Sequence, residues 1–171
     1  ETGDKWVSVG SAGSPSKGGT PGLQVVRSDQ ENLSIVMKTD GFFSSERKEN
    51  GRVYTALHLG KYNSDMKPGS PYLPAVRQYI YLPAGKTARL KVNPGAPVTF
   101  QNYTLYPVQQ PDSGLKNSVE RSFYYDEAVY HSDRLFPSEL VSLGETESLR
   151  GHQIALLHIC QFQYNPARKV L

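Results

Sequence analysis

GSPYLPAVRQYIYLPAG, residues 69–85, holds three prolines and three tyrosines in seventeen positions, and its reading decides the fold. Val76, Ile80 and Leu82 fall on one side of a two-residue period and Arg77, Tyr79 and Tyr81 on the other, the mark of an antiparallel strand. Large rings or aliphatics on both sides predict that this strand is covered on both faces. Pro71 and Pro74 precede it and Pro83 follows it. Proline has no N–H for a ladder, so these positions are expected to mark where pairing starts and stops.

The same alternation recurs in both directions. A short strand is expected at Trp6 to Val9, another where Leu33, Ile35 and Met37 alternate with polar neighbours, and a third where Val53, Thr55, Leu57 and Leu59 line one face. Residues 40–52 read as a polar connection ending in Asn50-Gly51, a pair that tolerates the positive φ of a tight hairpin turn. Ala84-Gly85 turns the chain into Ala88, Leu90 and Val92, and Asn93-Pro94-Gly95 into Val98, Phe100 and Leu105. Ile154 to Tyr164 is the most apolar run and predicts a central strand. Phe123 to Tyr130 predicts a turn or two of helix, and Ser138 to Leu143 a second short helix or a strand. Turns every ten to fifteen residues predict an all-β chain, an antiparallel, jelly-roll-like β-sandwich with one or two short helices.

Composition agrees with that class. The chain has 171 residues with 11 tyrosines, 15 glycines and 12 prolines, which favours short strands and turns. At this length folding hides about 70% of the unfolded surface, enough for one domain with a real core. Residues 10–22 hold five glycines and two prolines with no large apolar side chain, so residues 1–22 read as a flexible linker with a possible short strand, and residues 23–171 as the single sandwich domain. Glu1-Thr2-Gly3 reads like a vector remnant left after a removed secretion signal, and alternation resuming at Lys169-Val170-Leu171 predicts a fragment of a larger protein.

Several function classes are disfavoured. Net charge is +3 from 19 basic and 16 acidic groups without a basic tract, so nucleic acid is not indicated. No run approaches the roughly 18 apolar residues of a membrane span, so no membrane insertion is expected. His158 and Cys160 lie two apart on one predicted strand, an arrangement that invites a thiolate–imidazole reading. Their Cα atoms would be about 7 Å apart, and the apolar flanks predict burial, so no catalytic residue is assigned and Cys160 is read as a small core hydrophobe. His58, His131 and His152 lack metal-ligand spacing, and Glu46, Glu49, Asp126 and Glu127 lie in polar segments, so no metal and no cofactor are expected. Asn32-Leu33-Ser34 and Asn102-Tyr103-Thr104 fit an N-glycosylation pattern that has meaning only in a eukaryotic secretory route. The tyrosine-rich strand leaves a carbohydrate- or protein-binding adhesion module of a surface protein as the alternative function.

Pro107 to Ser122 is polar, with Val108, Leu115 and Val119 as its aliphatics, and is expected to be an exposed loop. Three blocks stand in order around it: the proline-bracketed strand, LFPSELVSLGETESLRGHQIAL at 135–156, and QFQYNPARKVL at 161–171. Over about residues 32–171 they resemble the prodomain of gingipain-type cysteine proteases, peptidase family C25, most like that of the lysine-specific gingipain. The resemblance implies a non-catalytic β-sandwich prodomain of a bacterial protease exported through the periplasm to the medium or the cell surface. It further implies a cognate cysteine protease catalytic domain as partner, kept latent and helped to fold by a loop that offers a basic side chain to the S1 pocket. The matching position falls near Gly114, beside Leu115, with Lys116 two residues on; Lys116 is the choice by proximity and Arg121 the reserve. The departure from the family pattern leaves open a cognate enzyme of other specificity or an inactive relative.

Overall fold

The apolar run near the C-terminal end does become a central strand. In the computed structural model, which describes residues 3–10, 19–110 and 122–171, β9 (His152–Ile159) has β6 (Val76–Leu82) on one side and β7 (Val141–Leu143) and β8 (Glu147–Leu149) on the other, all antiparallel. Register places Val76 opposite Ile159 and Gln78 opposite Leu157, with Leu143 on Leu157 from the far side. Val76, Leu157 and Ile159 therefore form one buried cluster, against which Ile80, Val141 and Leu143 pack.

A second sheet is built from β1 (Lys5–Ser8), β4 (Gly41–Glu49) and β5 (Arg52–His58) in the order β1-β4-β5. Asn50 and Gly51 turn β4 into β5 with φ of 49° and 74°, the left-handed conformations the dipeptide tolerates. Thr55 bonds on its free edge to residues 104–106, Thr55 N–H to the Thr104 carbonyl at 2.7 Å and Tyr106 N–H to Thr55 at 2.9 Å. Tyr72 N–H then donates to Tyr106 at 2.9 Å and Val108 N–H to Ser70 at 2.8 Å. This sheet thus continues through 104–108 to 69–72. The remaining strands, β2 (Gly22–Ser28) and β3 (Leu33–Lys38), form a hairpin whose Leu23, Ile35 and Met37 pack on the β6-β9 cluster.

The principal core lies between the layers. Phe42, Leu57 and Leu59 from the second sheet meet Cys160, Phe162 and Tyr164 from the continuation of β9, with Leu73 and Leu105 between. Phe42 packs edge-on to Phe100 and Phe162 at ring distances of 5.4 and 5.3 Å. The architecture is the antiparallel all-β class read from the sequence, with one short helix among the described residues, α1 (Glu127–Tyr130), capped by the Asp126 carboxylate that accepts from Val129 N–H.

The structure departs from the sequence reading at several strands. Residues 40–52 are not a polar connection: Gly41–Glu49 is a strand, its glycine there because a Cβ would fall 2.3 Å from the Val7 carbonyl. β2 was hidden in sequence because its valines face outward, Val25 and Val26 being more than half exposed. β6 is covered on one face only, as an edge strand that leaves Tyr79 and Tyr81 55% and 74% exposed. The Ala88–Val92 and Val98–Phe100 runs form no strand; Leu90, Val92 and Val98 are exposed, and only the end of that stretch pairs. β5 sets Val53, Thr55 and Leu57 along one side as expected, Leu57 fully buried and Val53 half exposed, and also buries Tyr54 and Ala56 on the other. The second helix candidate, Ser138 to Leu143, resolves into β7.

The last residues are built into the body. Leu171 exchanges both backbone bonds with Phe100 at 2.8 and 2.9 Å, and Asn165 pairs with Val170 across a turn. That turn is held by Asp133, which accepts Arg168 Nε at 2.6 Å, Arg168 Nη2 at 3.0 Å and Asn165 Nδ2 at 2.9 Å. These bonds, Arg168's first, hold the Asp133 carboxyl at about 2, below its ordinary value. A lowered folded pKa adds stability above the unfolded value of about 4 that is lost as pH falls toward 2. Asp133→Asn is expected to flatten the pH dependence of unfolding between those limits, measured by urea titration at each pH. For the core, Leu105→Ala, at a fully buried site, is expected to lower unfolding stability by about 2–5 kcal/mol, read from the same denaturation curves.

Candidate functional site

The sequence-chosen positions Gly114, Leu115, Lys116 and Arg121 lie outside the described residues, as do residues 11–18 of the linker reading. What the structure places is the point where the chain leaves for that segment and the point where it returns. Both are organised by Gly69, the first residue of the stretch that opened the sequence reading. Gly69 N–H donates to the Val108 carbonyl at 2.7 Å on the outgoing side, and Asp126 N–H donates to the Gly69 carbonyl at 3.1 Å on the returning side. One residue thus sits between the two chain ends as a strand sits between two neighbours, which sets them about 10 Å apart.

Local chemistry explains why glycine stands there. Its φ is +85°, a conformation costly for other residues, and a Cβ would lie 2.6 Å from the Tyr124 ring. Of the prolines ahead of β6, Pro74 stands just before pairing starts at Val76, as the sequence suggested, whereas Pro71 lies inside another ladder. Pro71 and Pro107 are bridged opposite each other inside the 69–72/106–108 ladder, and the bonds are made by Tyr72 and Val108 beside them. Both prolines occupy the non-hydrogen-bonded pair, where the missing N–H is not needed, and both are fully buried. Pro83 ends its strand as expected, accepting from Lys86 N–H in the turn that follows β6.

Aromatic rings brace the same place. Tyr54 meets Tyr106, Phe123 and Tyr125 at ring distances of 6.0, 5.3 and 6.5 Å, and Tyr125 stacks on Tyr130 at 4.3 Å. Arg47 lies over the Tyr106 ring at 5.1 Å, and the Tyr106 hydroxyl donates to Glu49 at 3.3 Å. Burial, then the Glu49 charge, raises the Tyr106 phenol above its ordinary value. Tyr130 is buried deeper and its phenol is raised strongly, while its hydroxyl donates to the Leu105 carbonyl at 2.7 Å. Phe123 and Tyr106, the rings adjoining the two ends, are therefore fixed to β5.

The described residues do not assemble the chemistry of a hydrolase. Cys160 is fully buried, its Sγ directed to the Phe162 and Pro74 carbonyls, and burial pushes its thiol up to about 12. His158, its suggested partner, instead bonds Asp65 through Nε2 at 2.9 Å. Ser45, His58 and Asp4 also lie together, but Ser45 Oγ at 3.1 Å and Asp4 at 3.8 Å share the same ring nitrogen. A serine–histidine–acid relay needs the two on different nitrogens. No group of three His, Cys, Asp or Glu among the described residues could hold a metal. Gly69, Tyr124 and Asp126 were missed as a unit in sequence because their meeting depends on long-range pairing; the only local signal was a turn glycine following Pro68.

The same two-layer antiparallel β body is found in solved structures. It overlays a chain from a structure of the zymogenic latency of gingipain K from Porphyromonas gingivalis with a TM-score of 0.77 at 19% identity, covering 99% of this chain and 92% of that one. It overlays a chain from the complex of Porphyromonas gingivalis RgpB pro- and mature domains with a TM-score of 0.78 at 17% identity, covering 86% and 77%. The Propeptide_C25 family model matches residues 14–171, and the chain belongs to that family. Gingipain R2 of Porphyromonas gingivalis is 20% identical over 156 residues; these are 91% of this chain and only 21% of that relative, so the chain spans a fifth of its length.

Cys160 is expected to resist alkylation by iodoacetamide at pH 8 in the native chain and to react fully after unfolding in guanidinium, with mass spectrometry as the readout. Stoichiometric labelling of the folded chain at the rate of a free thiol would contradict the burial described.

Proposed function

We propose that this chain is the inhibitory and folding-assisting prodomain of an exported bacterial cysteine protease, itself without catalytic activity. It holds the segment between Gln110 and Ser122 in the active-site cleft of its cognate catalytic domain, with Lys116 entering the S1 pocket and Arg121 as the reserve. The observation that carries this reading is the family membership across residues 14–171, joined to a fold that ties both ends of that segment to Gly69. The gingipain K relative is described by its zymogenic latency and the RgpB relative by its complex of pro- and mature domains, which supports the choice of partner. Release to the medium or cell surface through the periplasm follows from the same reading.

Physical reasoning agrees with this role. A substrate-like inhibitor must fill the specificity pocket while its backbone is prevented from reaching the attack geometry of the nucleophile, where a displacement of about 1 Å is costly to rate. A rigid carrier supplies that restraint and removes part of the ordering entropy that binding would otherwise cost. The buried, proline-containing ladder of residues 69–72 and 106–108 is such a carrier.

Added in trans to the mature catalytic domain of its own precursor, the chain is expected to inhibit hydrolysis of a peptide substrate at submicromolar concentration. Lys116→Ala is expected to weaken inhibition at least about tenfold, or roughly 1.4 kcal/mol, and Arg121→Ala much less. Absence of inhibition at a micromolar excess would refute the role, and a reversed order of the two variants would move the S1 assignment to Arg121.

A further inference from the structure

Gln109 is the last residue but one before the undescribed segment, and its side chain does something that its position in a polar sequence does not announce. Its Oε1 accepts from Tyr124 N–H at 2.9 Å, while its Nε2 donates to the Tyr124 carbonyl at 3.0 Å and to the Pro107 carbonyl at 3.0 Å. The amide therefore pairs with Tyr124 as a residue of a neighbouring strand would, taking its N–H and giving to its C=O. No backbone bond joins residues 107–110 to 122–126 directly among those described; the two sides are linked through Gly69 and through this side chain.

We propose that Gln109 is a positioning residue of the inhibitory segment: a side-chain peptide surrogate that ties its outgoing and returning ends together and so fixes the direction in which the segment is presented. The inference rests on the function proposed above and deepens it. A primary amide is suited to the task because it alone among neutral side chains offers an acceptor and two donors on one planar group. The third bond, to the Pro107 carbonyl two residues back, anchors the amide to its own strand, so that Tyr124 is held relative to the ladder. Tyr124 has a second restraint, since its ring fills the space that a Gly69 side chain would occupy. Leaving the ends untied would let the segment sample orientations of which only a fraction fit a cleft, and apparent affinity falls by that fraction.

The test uses Gln109→Met, which keeps length and packing and removes all three bonds, in two backgrounds: the intact chain and one with residues 111–121 replaced by an equally long glycine–serine sequence. In the intact chain the substitution is expected to speed hydrogen exchange at the Tyr124 amide and to weaken inhibition of the cognate catalytic domain about tenfold, the loss of one to two net hydrogen bonds, with slower association and a urea midpoint lowered by no more than those bonds, the chain staying folded in the assay. In the replaced background it is expected to change residual inhibition by less than about twofold. Equal loss in both backgrounds, unchanged Tyr124 exchange, or unchanged inhibition by the intact chain would each overturn the role of Gln109. A wild-type chain that fails to inhibit overturns the functional reading instead, and that result is distinct from unchanged exchange at Tyr124.

Discussion

The structure depends on residues 103–108 being bonded on every side. Their backbone lies between β5 and residues 69–72, with Thr104 and Tyr106 serving Thr55, and Tyr106 and Val108 serving Tyr72, Ser70 and Gly69. Two tyrosine hydroxyls complete the set, Tyr130 on the Leu105 carbonyl and Tyr164 on the Tyr103 carbonyl at 3.0 Å. Leu105 is fully buried among Phe42, Leu57 and Tyr164. A backbone at the centre of a core cannot leave its amides unpaired without a cost comparable to the bonds lost, so this segment constrains everything that touches it.

Prolines ease that constraint. Pro71, Pro74 and Pro107 are fully buried, a place where an ordinary residue in irregular backbone would have to find a partner for its N–H. Facing each other at the non-bonded positions of a ladder, Pro71 and Pro107 allow two short, unstrandlike pieces to meet in the core. Pro71 and Pro107 thus serve the join between two sheets, while Pro74 and Pro83 flank β6 as the sequence suggested.

The same join holds both ends of the polar segment. Because the ladder ends at Gly69 and Val108, the segment after Gln109 departs from the most constrained part of the fold and returns to it at Tyr124 and Asp126. Rings on the far face of β5 cover the root, from Tyr54 to Phe123 and Tyr125.

The amino-acid order by itself determined the strands whose alternation is strict and whose burial is one-sided or complete: β3, the β4–β5 turn at Asn50-Gly51, β6 and the central β9. It also determined the family, through the ordered blocks around residues 69–85, 135–156 and 161–171. It could not determine β2, whose exposed Val25 and Val26 break the pattern, nor that Leu90 and Val92 lie outside any sheet. Periodicity reports which face of a strand is apolar, but pairing over long separations decides which apolar residues find a neighbour. For the same reason the polar character of residues 107–122 was legible, whereas Gly69 between its two ends and the Gln109 amide on Tyr124 were decided only by the tertiary structure, which brings Gly69 to Val108 and Asp126 across long stretches of chain and Gln109 to Tyr124, 15 positions on.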